Sequence, residues 1–167
     1  MKNILMILVI VAVAMTSCNN DKQVLSSSFD ELQKESDSLH QMHTTLKNHH
    51  AKHTQAYTAL AERLKGSPLQ DSTWLETLAS QEVMLKSHEA EIQKVEQLLE
   101  GHKELKANFS GLTTEEMQAQ IDAMRTDLEE IRNSQSNLSA DHEALNNELV
   151  QIEEGFKKQE LTAEAKQ

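Results

Sequence analysis

TTEEMQAQIDAMRTDLEEIRNSQSNLSADHEALNNELVQIEEGFKKQ, residues 113–159, decides the fold. Met117, Ile121, Met124, Leu128, Ile131, Gln135, Leu138, His142, Leu145, Leu149, Ile152 and Phe156 follow one another at alternating intervals of four and three residues. That spacing lays all of them along one seam of an under-wound helix, the pattern of a coiled coil, with only Gln135 and His142 breaking its apolar character. Thr113 and Glu116 stand three apart at the start. They have the form of a capping box, in which each side chain satisfies the other residue's free backbone amide.

The same rule extends upstream. A first seam runs through Leu25, Phe29, Leu32, Ser36, Leu39, His43, Leu46, His50, His53, Tyr57, Leu60 and Leu64, and is visibly more polar. A second runs through Trp74, Leu78, Gln81, Leu85, His88, Ile92, Val95, Leu99 and His102, after which Leu105 and Phe109 require a small slip of phase. Gly66-Ser67-Pro68 separates these two segments: Gly66 permits a left-handed cap and Pro68 forbids continuation. Asp71 or Ser72 then caps the second helix, and Asn108-Phe109-Ser110-Gly111 forms the second turn. Gly101 within that helix is a weak point costing roughly 1 kcal/mol against Ala.

Helices are therefore expected over about 28–65, 72–108 and 113–159, the first opening at the capping box Ser28 to Glu31. Each would span roughly 55 to 70 Å at 1.5 Å per residue. Short connections force consecutive helices to lie antiparallel, so the expected fold is all-α, an elongated antiparallel three-helix coiled-coil bundle over residues 28–160. A polar tail, 161–167, follows. The narrow, polar first seam makes self-association through helix 3 the second expectation.

Composition agrees. The 167 residues include only 4 Gly and 1 Pro, with 3% aromatic and 26% charged residues, a profile that disfavours sheets. A formal charge of -11 repels phosphate backbones and argues against nucleic acid as a partner.

The N-terminus reads as an address. Met1-Lys2-Asn3 supplies a positive start, and Ile4 to Met15 is an unbroken apolar run, long enough for a secretory signal but short of the roughly 20 residues that cross a bilayer. Met15-Thr16-Ser17-Cys18 resembles the lipobox of bacterial lipoproteins, with Met15 in place of the usual Leu. The resemblance covers residues 1–22. It implies a signal peptide over 1–17, diacylglyceryl attachment at Cys18, and a flexible tether over 18–27. By resemblance to enteric lipoproteins, Asn19 after the cysteine, where Asp would favour retention at the inner membrane, points to the outer one. The expected location is the cell envelope, lipid-anchored and facing the periplasm. Cys18 is the sole cysteine, so no intrachain disulfide forms.

Six of the eight histidines, His43, His50, His53, His88, His102 and His142, lie on the seams, whereas two positions in seven would place about two there. Reflecting helix 1 about Pro68 brings His50 and His53 near Leu85 and His88, and reflecting helix 2 about Gly111 brings His88 near Gln135. A polar layer at mid-bundle follows. Its simplest role is to fix register, because a partly buried polar group penalises slipped alignments. Its sharper role is a transition-metal site for Zn, Cu or Ni formed by His49, His50, His53 and His88, with His49 and His53 one helical turn apart. No HExxH segment accompanies them, so hydrolytic zinc chemistry is not indicated.

A coiled coil offers little concave volume for catalysis. The expected function is accordingly non-enzymatic: a membrane-anchored spacer or protein-interaction module of the envelope, held through lipid on Cys18. The alternative is a periplasmic metal-binding or chaperone-like protein that uses the histidine-rich helix 1, with Met42, Met84, Met117 and Met124 as adaptable contacts.

Overall fold

A computed structural model describes the backbone of residues 2–69 and 71–165, and the side chains of residues 20–69 and 71–165. The signal-peptide and lipobox readings, Cys18 included, lie outside the residues whose side chains are described. The chain is an all-α three-helix bundle: α1 (Lys2–Lys65), α2 (Ser72–Asn108) and α3 (Thr114–Glu164), with one 3-10 turn at Phe109–Gly111 and no strand among the described residues. None of the helices is, over those residues, long and apolar enough to cross a membrane.

Every position of the α3 seam from Met117 to Phe156 is buried, while its neighbours are exposed or half-buried apart from Ser134. The capping box forms as the sequence requires. Thr113 N–H donates to Glu116 Oε2 at 2.8 Å, and Glu116 N–H donates to Thr113 Oγ1 at 3.3 Å. At the head of α2 the cap is Asp71, whose Oδ1 accepts from Thr73 N–H at 2.8 Å.

Two expectations about helix ends are corrected. The first helix does not open at Ser28, because residues 20–28 are already helical in α1 and Ser28 lies within it. Ser27 Oγ donates to Gln23 O within the helix, Leu25 is half-buried, and Lys22 Nζ reaches the carbonyl of Leu112 at 2.9 Å. The seam simply continues upstream of Phe29. At the other end, no described glycine has positive φ, so Gly66 is not a left-handed cap. The α1 terminus tightens to a three-residue turn, Ser67 N–H to Leu64 O at 3.2 Å, and Ser67 Oγ then accepts from Leu69 N–H. Pro68, which has no N–H, ends the helix.

The chain divides into two compact units. The first combines α1 as far as His40 with Gln97–Ile131. Its anchor is a stacked pair, Phe29 on Phe109, with ring centroids 3.7 Å apart. Phe109 stands in the 3-10 turn, and this is how the expected slip of phase in the second seam is accommodated. Gln33, not Leu32, takes the interior position: its Nε2 donates to His102 O at 2.9 Å, and Leu32 is half-buried. Ser36 Oγ meets His102 Nδ1 at 3.0 Å, and His102 Nε2 meets Asp127 Oδ2 at 3.4 Å. With Ser36 and His102 each 4% exposed, this relay ties α1, α2 and α3 together in a single register.

The second unit combines Gln41–Glu96 with Arg132–Gln167. Leu60, Leu64, Leu78, Leu149, Ile152 and Phe156 form its larger apolar cluster. Trp74 lies edge-on to Phe156 with centroids 6.3 Å apart, covering that cluster as its place in the first turn of α2 implies. A smaller cluster, Leu46, Ile92 and Leu138, takes one residue from each helix. Between the two lie a buried glutamine and a layer of imidazoles. Gln81 is 0% exposed and donates to Leu145 O and to Glu148 Oε2.

Candidate metal centre

Heptad arithmetic alone delivers the imidazoles to the interior. His50 and His53 occupy successive seam positions of α1, His88 the facing position of α2 and His142 that of α3, and all four are 6–7% exposed. His50 Nδ1 lies 3.0 Å from His142 Nε2, and the His88 ring stands edge-on to His142 with centroids 5.0 Å apart. One ring nitrogen each from His50, His88 and His142 falls within 4.8 Å of the others. His53 sits alongside, its centroid 6.2 Å from that of His142.

Two carboxylates stand behind this group. Glu89 Oε2 is 3.4 Å from His50 Nε2, and Asp141 Oδ2 is 3.2 Å from His88 Nε2. A carboxylate that accepts from one ring nitrogen fixes the tautomer and leaves the lone pair on the other. Where Nε2 of His88 donates to Asp141, the lone pair of a neutral ring falls on its Nδ1. His88 Nδ1, His142 Nδ1 and His53 Nε2 are buried with no hydrogen-bond partner among the described residues. Leaving buried polar nitrogens unsatisfied costs about 1–3 kcal/mol each. An apolar seam would avoid that cost, so the layer is expensive as mere packing.

Burial also favours the neutral form of His50, His53 and His142. Desolvation, assisted by the neighbouring imidazoles, pushes His142 down to about 4. Desolvation likewise lowers His50, against the opposing pull of Glu89, and lowers His53, with His50 and His88 adding to the effect. Neutral imidazole is the form that binds a metal.

Of the four residues expected to bind metal, the structure brings together His50 and His88, places His53 next to them and leaves His49 exposed. The third member is His142, where the reflection about Gly111 had put Gln135. Cross-helix pairs such as His88 with Asp141 and His102 with Asp127 have sequence midpoints near Thr114, so the α2–α3 register differs by one heptad from that estimate. The 3-10 turn keeps Phe109 in the core and moves the reversal point downstream.

Comparison with protein-family models, with curated proteins and with solved structures finds no match to the chain.

Proposed function

We propose that this chain is a non-enzymatic, lipid-anchored protein of the bacterial cell envelope whose three-helix bundle binds one divalent transition-metal ion through His50, His88 and His142. The observation that carries the reading is the convergence of three buried imidazole nitrogens within 4.8 Å, two of them on rings with a carboxylate behind. Tetrahedral coordination with bonds of 2.0–2.1 Å sets nitrogens about 3.3 Å apart, so small side-chain rotations would close the group around an ion. An all-nitrogen set suits Zn(II), Cu(II) or Ni(II) and disfavours Mg(II) and Ca(II), which take oxygen ligands.

The coiled-coil scaffold fits binding better than turnover. Each ligand comes from a different helix, so an ion held there ties α1, α2 and α3 to one another in this unit, and the metal-free bundle is correspondingly weaker. The lipobox-like Met15-Thr16-Ser17-Cys18 supports placement at a membrane surface, where a holding or interacting module works better tethered than free.

Titration of the full-length chain in detergent with Zn(II), Cu(II) and Ni(II) tests the binding. One equivalent is expected to bind at micromolar concentration or tighter, and binding is lost in His88→Gln and His142→Gln. Helical, cooperatively melting protein that binds none of the three ions would refute the metal reading. Mass spectrometry of the envelope-extracted protein checks the anchor: an acylated N-terminal cysteine is expected, and an unmodified chain retaining residues 1–17 would contradict it.

A further inference from the structure

Two cavities touch the imidazole layer, and they differ in the chemistry at their openings. On the α1–α2 side a groove of about 700 Å³ reaches His50 and Glu89. Its rim carries two ammonium groups, Lys47 bound to both oxygens of Glu96 at 2.7 Å and Lys86 bound to Glu82 at 2.7 Å. Three carboxylates, Glu82, Glu89 and Glu96, stand against those two ammonium groups, and the one imidazole in the lining is that of His50. On the α1–α3 side a cavity of about 510 Å³ is lined by His49, Lys52, His53, His142 and Glu143. There Lys52 is balanced by Glu143, and three imidazoles, those of His49, His53 and His142, line the one cavity. His49 is exposed, and His53, one turn along the same helix, is 7% exposed. Next comes His142, also 7% exposed, whose ring touches those of both His50 and His88.

His53 is the informative member. It is buried, its Nε2 has no hydrogen-bond partner among the described residues, and yet it lies outside the group whose nitrogens converge. A histidine in that position neither completes the inner set nor repays its burial by hydrogen bonding. It does share a cavity with the exposed imidazole of His49 and with His142 of the triad.

We propose that the α1–α3 cavity is the loading route of the site, with His49 and His53 capturing a transition-metal ion at its mouth and passing it by ligand exchange to His142. The proposal rests on the metal-binding reading above. Transfer involves no redox change: one imidazole nitrogen replaces another on the ion while water ligands are shed. His49 and His53 are positioning residues on this route, and they alter how fast the ion arrives and leaves without altering the final set of ligands.

Stopped-flow mixing of the full-length chain in detergent with Zn(II), followed by a chromophoric zinc indicator, separates rate from affinity. His49→Ala and His53→Ala are each expected to slow loading and release together by about fivefold, leaving Kd within about twofold of the wild type. Because His49 is exposed, its variant folds without a cavity to fill, so the test survives any instability of His53→Ala. If both variants load at the wild-type rate, the route is wrong although the site stands. If His53→Ala weakens Kd about tenfold or more, His53 is a resident ligand and the relay is likewise wrong. A wild-type chain that takes up no Zn(II) removes the site and the route together.

Discussion

Acidifying the metal-free protein from about pH 7.5 to about pH 5 should destabilise the second unit by an amount set mainly by His142. Its folded-state pKa is lowered from 6.5 to about 4, chiefly by burial and then by the charges of His88, His50, His53 and His49. A depressed histidine is neutral in both states above about pH 6.5, so the full stability is present there. As pH falls below that value the unfolded chain takes up a proton that the folded chain refuses, and stability declines until the folded value is reached. By pH 5 the loss from His142 alone is about 2 kcal/mol. His50 and His53 are lowered as well and add to it in the same direction. For a chain of this size 1 kcal/mol corresponds to roughly 2–4 °C, so a drop in Tm of roughly 4–8 °C is the minimum expected. Thermal melts followed by helical circular dichroism, with a chelator present, provide the assay, and His142→Gln should flatten the pH dependence. A Tm constant or rising over this window would show that the imidazoles are hydrated or already protonated in the fold.

The two helical glycines should respond oppositely to the same substitution. Gly101→Ala meets nothing within 4 Å and should stabilise by about 0.5–1 kcal/mol, whereas Gly155→Ala puts a Cβ 2.8 Å from Trp74 Cζ2 and should lose that gain to displacement of the indole. Denaturant unfolding of the two variants compares them directly. Thr113→Ala removes the hydroxyl half of the α3 capping box and should cost about 1 kcal/mol, which the same measurement reads. Phe109→Ala removes one ring of the stacked pair from a buried site and should cost about 3–5 kcal/mol, with hydrogen exchange accelerating first in residues 97–131.

Periodicity made α3 legible almost residue by residue, because a strict interval of four and three admits one buried face and Thr113 with Glu116 marks its start. The histidine layer was legible for the same reason: six imidazoles lay on seams drawn through leucines, and all six are buried. Register was harder to read. A seam fixes which face is inward but not which residue of the next helix it meets, and that depends on how a turn closes. Phe109 folding back onto Phe29 moved the α2–α3 register by a heptad and substituted His142 for Gln135 as the neighbour of His88. Gln33 and Leu32 illustrate a finer limit. Both satisfy a three-four alternation from Phe29, and only the acceptor at His102 O decides between them. The helical character of residues 20–28 was hidden by the run Ser26-Ser27-Ser28, which in isolation favours a cap over a helix interior.

The central claim is that the imidazole layer exists to hold an ion. Calorimetric titration of the chelator-stripped, full-length chain with Zn(II) at neutral pH, alongside His142→Gln, tests it most directly. The wild type should bind one equivalent, and free Zn(II) at about one hundred times Kd should raise its stability by about 2.7 kcal/mol, while the variant shows neither effect. A wild-type protein that is folded, takes up no ion and melts at the same temperature with and without Zn(II) would contradict the claim and leave His50, His88 and His142 as residues that only set register.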